Sequence, residues 1–148
     1  MIPLLFLVAG AATGPACVRM EPVAGFENWG KPAGSALAPG REATLALKPA
    51  AKVQFKPALA RPPKGGTFGG FFPLDIAKGG HYRIALSNGA WADLVQKGER
   101  VKLAGHGHAP ACSGIAKLVD YDLKPGRYWL QLSDAKEPSI GVMLSSPR

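Results

Sequence analysis

From Glu42 onward, apolar residues recur at every second position in short runs, and glycine, proline or asparagine closes most of the runs. That period is the alternation of a pleated strand, whose successive side chains point to opposite faces, and no run shows helical spacing. "EATLALK" sets Leu45 and Leu47 on one face, "KVQFK" does the same for Val53 and Phe55, and "HYRIALS" opposes Tyr82, Ile84 and Leu86 to Arg83, Ala85 and Ser87. Asn88-Gly89 follows at once and favours the positive φ angles of a two-residue hairpin, so "AWADLVQ" is expected to return antiparallel to that strand. "RVKL" then carries Val101 and Leu103, while "IAKLVDYDL" carries Ile115, Val119, Tyr121 and Leu123 on one face, interrupted by Lys117. The turn 124–127, "KPGR", has Pro and Gly at the second and third positions that a type II turn prefers, which draws a hairpin between Asp122 and Tyr128. "RYWLQLS" and "SIGVMLS" complete the series with Tyr128, Leu130, Leu132, Ile140, Val142 and Leu144. Eight or nine short strands predict an all-β fold, an antiparallel β-sandwich or jelly roll.

A chain of 148 residues holds one packed core comfortably, and its 19 Gly and 14 Pro fit many turns joining short elements. The expected organisation is a signal peptide over 1–16, an irregular N-terminal arm over 17–41 and the sandwich over 42–148. The apolar run Ile2–Ala9, followed by small residues, is the layout of a secretory signal, although no Lys or Arg precedes it. A mature chain starting between about residues 12 and 17 would be periplasmic or secreted and would contain no transmembrane span. Lipidation of Cys17 is the weaker alternative, since Gly14-Pro15 departs from the Leu-Ala-Gly/Ala pattern that precedes a lipidated cysteine. In the arm, Phe26 and Trp29 are expected to pack down, and the "ARPPKGGTFGG" segment at 60–70 reads as a long loop. The net charge of +8 falls entirely after residue 18, spread without dense runs or interleaved aromatics. That spacing gives a solvated basic surface and argues against nucleic acid as a partner.

The sharpest local feature is "AGHGHAPACSG" at 104–114, which gathers two of the three histidines and one of the two cysteines. In an extended segment His106 and His108 project to the same side and can chelate one ion at about 2.0–2.1 Å per bond. Cys112 or His81 would furnish a third ligand, and imidazole with thiolate suits copper or zinc. Three imidazoles would also hold iron, with Asp93 or Glu99 as carboxylates that could approach in space. A different role for Cys112 is a disulfide with Cys17, which export favours. Closing that long loop is worth about 4–5 kcal/mol in the chain-entropy model, and it excludes a Cys112–metal bond. Asp120 and Asp122 share a strand face and read as a solvated acidic face rather than a catalytic pair. Trp91, Trp129 and Tyr128 could form a carbohydrate platform; Tyr128 alternates inward, so Trp129 is the candidate ligand contact.

The succession "FFPLDIAKGGHYRIAL", "WADLV" and "LKPGRYWLQLS" resembles the bacterial pre-peptidase C-terminal type of β-sandwich over about residues 68–144. The stretch "GHGHAPACSGIAKLVDYDLKPGRYWLQL" is also similar to a group of small exported bacterial proteins, some of which are labelled homogentisate 1,2-dioxygenase. The first likeness implies the β-sandwich fold; the residues themselves favour a non-catalytic exported binding or accessory module, with a metal at His106 and His108 as an option, acting on a ligand or cell-envelope component that they do not identify. The second implies a small metal-dependent oxidoreductase with iron, although no Glu stands at the distance from His106 or His108 that the dioxygenases' His-Glu-His site has.

Overall fold

The computed structural model describes residues 23–145, so the signal segment and Cys17 lie outside the described residues. Ten strands form two antiparallel five-stranded sheets. They are β1 (Glu42–Ala46), β2 (Lys48–Pro49), β3 (Phe68–Ile76), β4 (Gly80–Leu86), β5 (Trp91–Gln96), β6 (Glu99–Arg100), β7 (Gly105–Gly107), β8 (Lys117–Leu123), β9 (Gly126–Ala135) and β10 (Ser139–Leu144). The first sheet has the order β1-β10-β4-β8-β7 and the second the order β2-β3-β9-β5-β6. The protein is thus the all-β sandwich that the period-two pattern predicts. One core fills the space between the sheets, with Leu45, Ile84, Val119, Tyr121 and Ile140 from the first facing Leu74, Leu94, Tyr128, Leu130 and Leu132 from the second. Each such aliphatic side chain contributes about 1.5–3 kcal/mol by leaving water.

Connections differ from the expected hairpins. Strand β4 belongs to the first sheet and β5 to the second, so Asn88-Gly89 carries the chain across the sandwich instead of folding it back. Asn88 serves that crossing with its side chain: Oδ1 accepts from Ala90 N–H at 3.0 Å and Nδ2 donates to Ser139 O at 3.4 Å. The two-residue hairpin of positive φ occurs elsewhere, at Lys97-Gly98 (φ 51 and 77), joining β5 to β6. Likewise β8 and β9 lie in different sheets, so the "KPGR" segment is an arch and no hairpin links Asp122 to Tyr128.

Two such arches meet at one end. The chain leaves β3 for β4 through residues 77–79 and leaves β8 for β9 through 124–125. Gly80 pairs with Leu123 in one sheet and Ile76 with Gly126 in the other, which seats the arches side by side. Each is closed by a tyrosine four residues on. Tyr128 Oη donates to Lys124 O at 2.9 Å and accepts from Lys124 N–H at 3.1 Å, and Tyr82 Oη donates to Lys78 O. This is the tyrosine-corner device of Greek-key sandwiches. Both rings are buried, so each hydroxyl satisfies its own polarity while fixing the turn.

Other expectations shift for the same reason, that alternation fixes faces but not partners. Val53 and Phe55 are not in a strand: after a 3-10 turn at Ala50–Lys52 the chain runs unpaired over the outside of the second sheet, and its alternating burial reports that contact. Ile115 turns away from the main core and joins Phe26, Ala85, Leu118 and Met143 in a smaller cluster on the outside of the first sheet. Val23 and Trp29 pack against that cluster, and Ala33 N–H and Gly34 O bond to Glu42 O and Thr44 N–H, so the arm extends the edge of β1. Glu42 itself is buried, which raises its carboxyl pKa, and a hydrogen bond from the Gly30 backbone works in the opposite direction.

Removing the corner hydroxyl by Tyr128→Phe should cost about 1 kcal/mol, because the part-buried N–H and C=O of Lys124 lose their partner. Gly126→Val should cost more than about 1 kcal/mol: the residue has φ 148, and a Cβ there would lie 3.0 Å from Gln96 Nε2. Urea unfolding measures both, and an unchanged midpoint for Tyr128→Phe would show that the arches need no such closure.

Candidate functional site

The histidine loop forms the outer edge of the first sheet. Gly105, His106 and Gly107 pair with Asp120, Val119 and Leu118. Exposure alternates from 105 to 110, leaving both His106 and His108 exposed. Paired residues share a face, so His106 emerges on the side of Val119, whereas Asp120 belongs to the opposite, outer side.

His81 lies on that outer side. Its Nδ1 stands 2.9 Å from Asp122 Oδ1 and its Nε2 3.7 Å from Asp120 Oδ2. Arg83 completes the row with a two-pronged contact on Asp120, Nε–Oδ1 2.8 Å and Nη2–Oδ2 3.2 Å. The Asp120 carboxylate raises the Arg83 pKa. Asp120 is therefore occupied by the Arg83 guanidinium and Asp122 by the His81 ring across the strand pair, which is the reading of a paired surface ladder. The structure places His81 and His106 on opposite faces of one sheet and does not bring them together. Asp93 and Glu99 lie on β5 and β6 of the other sheet, and Asp93 is engaged by Arg100 Nε at 3.5 Å. Among the described residues no three His, Cys, Asp or Glu side chains converge in a way that could hold a metal ion. The iron that the dioxygenase likeness implies therefore finds no fitting donor set here. No free cysteine occurs among the described residues, and the Cys17 end of the expected bridge lies outside them.

Trp129 points outward from β9, as the alternation from Tyr128 implies, and it is half-buried. Its indole is stacked on the Phe71 ring of β3 with centroids 4.7 Å apart and planes inclined by only 3°. Register explains the stack: Phe71 pairs with Gln131 and Pro73 with Trp129, so the two rings are diagonal neighbours. Beyond them the face ends in Asp75 and Arg127, joined at 2.8 and 3.0 Å, a pair that lowers the Asp75 pKa. Behind them the 53–63 segment lies on the sheet, with Gln131 Nε2 donating to Pro57 O at 3.2 Å. Phe71 also walls a groove of about 320 Å³ together with Phe72, Lys48, Lys52 and Gln54. Neither this stack nor this groove was visible in the motifs. Phe71 was readable in principle, since Leu74 and Ile76 facing inward place Phe71 outward.

Trp91, the other platform candidate, is 50% exposed at the start of β5. Its Nε1 donates to Asp93 Oδ2 at 3.1 Å, and the Lys117 ammonium sits 4.9 Å from the ring centroid. Lys117 interrupts the apolar face of β8 without being stranded, because its Nζ donates to Ala90 O at 3.2 Å. Its pKa is lowered by burial, with the Asp93 charge opposing. Tyr128 is buried and takes no part in an outward platform.

No family model, curated protein or solved structure matches the chain. No helix among the described residues is long and apolar enough to cross a membrane.

Burial, followed by the nearby Asp93 charge, pushes the Tyr121 phenol up to about 12, while a backbone contact with Leu94 works the other way. The folded state therefore holds this proton more tightly than the unfolded chain, whose tyrosines titrate near 10. The stabilisation is complete below about pH 10 and is lost as pH rises through about 12, by roughly 2–3 kcal/mol. Denaturation at graded alkaline pH, alongside absorbance titration of tyrosinate, should show a shallower decline for Tyr121→Phe than for the parent.

Proposed function

We propose that the chain is an exported, periplasmic or secreted, non-catalytic β-sandwich that acts as a binding module, with its ligand on the outer face of the second sheet. The observation that carries this reading is the parallel-stacked Phe71–Trp129 pair on the outer face. One face of each ring is turned to the other, and an aromatic face left outward on a rigid sheet suits the apolar face of a sugar ring, so a cell-envelope carbohydrate is the ligand class it favours. The apolar run Ile2–Ala9 supports export, and a Cys17–Cys112 bridge belongs with an oxidising compartment. Likeness to pre-peptidase C-terminal sandwiches and to small exported bacterial proteins supports the same reading. The metal-dependent oxidoreductase alternative has less support, because its ligands would have to come from opposite faces and separate sheets.

Trp129→Ala should weaken oligosaccharide binding by at least about tenfold while the fold is retained, since an aromatic contact of this kind is worth about 0.5–1.5 kcal/mol beyond the area it buries. Fluorescence titration of the parent and Trp129→Ala with a panel of oligosaccharides decides it, and the absence of saturable binding by the parent would remove the reading.

A second role rests on the exposure of both His106 and His108 along one alternating segment. As a two-imidazole chelate the pair would take copper or zinc, with Cys112 left in the disulfide. His106→Ala and His108→Ala should each weaken such binding by at least about tenfold, because each removes half of the protein donors. Titration calorimetry with copper and zinc checks this; unaltered affinity in both variants would leave the loop as structure.

A further inference from the structure

We propose that the groove beside the Phe71–Trp129 stack is an anion-selecting subsite, and that the ligand of this face is an acidic glycan whose uronate carboxylate sits between Lys48 and Lys52. The inference rests on the carbohydrate reading of the stack and adds the charge of the ligand.

Three observations carry it. The groove, about 320 Å³, is lined by two lysines and no carboxylate, and neither lysine is in an ion pair among the described residues. It is at the small end of ligand sites, roughly 300–1,000 Å³, and so fits one or two sugar units. Phe71 belongs to both features, walling the groove with one part of its ring surroundings and stacking on Trp129. The stack and the lysine-lined groove therefore adjoin at Phe71. Gly69 and Gly70 also line the groove, and the positions over them are already taken by Phe55, the Leu132 carbonyl and the Phe72 ring, so neither could carry a side chain there.

The open edge of β3 separates a glycan from a peptide. Strand β2 pairs only with Phe68 and Gly69, leaving the rest of that edge without a neighbour. An acidic peptide would add there as a strand, but Pro73 lies within the exposed stretch, and proline removes the donor such a ladder needs. A pyranose chain needs no ladder; it needs an aromatic face for its apolar side and cations for its carboxylates.

The experiment uses one oligomer in two charge states: an oligogalacturonate and its fully methyl-esterified form, titrated calorimetrically against the parent, Lys48→Ala, Lys52→Ala, the double lysine variant and Trp129→Ala. The acid should bind the parent about tenfold more tightly than the ester, and the double lysine variant should remove that preference while leaving ester binding unchanged. Trp129→Ala should weaken both forms. The preference should also shrink in 1 M salt, where screening falls to about 3 Å. Equal affinity for acid and ester, or an acid preference that survives the double lysine variant, overturns the subsite and leaves the aromatic platform standing. Binding of neither oligomer overturns the platform and the subsite together. Lysine-dependent binding of anionic vesicles or of an acidic peptide, with no binding of the oligogalacturonate, overturns the glycan assignment.

Discussion

Short arches between two sheets are the constraint on which this molecule depends. The chain passes from β3 to β4 and from β8 to β9 with two or three residues to spare, and it reverses direction while changing layers. A turn that short leaves backbone groups at the end of the core without ladder partners, and a buried tyrosine hydroxyl satisfies them four residues later in each arch. Because the arches pair with each other in both sheets, fixing one positions the other. The registers of β4 with β8 and of β3 with β9 follow from that joint placement. So do the outer faces: the His81–Asp122 and Arg83–Asp120 contacts on one side, the Phe71–Trp129 diagonal on the other.

The same geometry explains what could be read from residues alone. Period-two alternation reports which side of a strand meets a core, and Tyr82, Ile84, Val119, Tyr121, Tyr128 and Leu130 all turn inward as it requires. It carries no information on which strand lies alongside. Asn88-Gly89 and the "KPGR" segment have the composition of hairpin turns, yet both span the sandwich, because a turn's local preference is satisfied equally by an arch when the next strand's apolar face needs the opposite sheet. Lys97-Gly98 lacks the Asn-Gly signature and still makes the tight hairpin, with β5 and β6 both held on the second sheet. Val53 and Phe55 alternate in the same way as strand residues because they lie on a sheet, without belonging to one. The expected third metal ligand fails on the same ground: sequence distance cannot reveal that His81 and His106 leave one sheet in opposite directions.

The two outer faces are covered differently, and that difference assigns them different work. On the first sheet the row Met143, Ala85 and Leu118 is roofed by Phe26 and Ile115, and the next rows are filled by the Arg83–Asp120 ion pair and the His81–Asp122 contact. Little there remains to recognise a partner. On the second sheet the 53–63 segment roofs Gln131 and stops, leaving a half-buried aromatic stack beside a groove whose lysines have no acidic neighbour lining it.

Uncompensated cations in a concavity are the more telling of these features. A chain with 18 basic and 10 acidic residues has an excess of cations to distribute, and scattered over a convex surface they would serve solubility alone. Four of the acidic residues are instead spent on specific partners: Asp75 on Arg127, Asp93 on Trp91 and Arg100, Asp120 on Arg83, Asp122 on His81. Lys48 and Lys52 receive none among the described residues, and they line one groove together with Gly69, Gly70 and Phe71 of β3. Two cations lining one groove are stabilised by whatever anion bridges them, and an anion attached to a flat apolar ring would gain from the neighbouring stack as well. That coupling of one carboxylate to one sugar face makes the proposed selectivity a property of the whole face, so neither the lysines nor Trp129 would suffice alone.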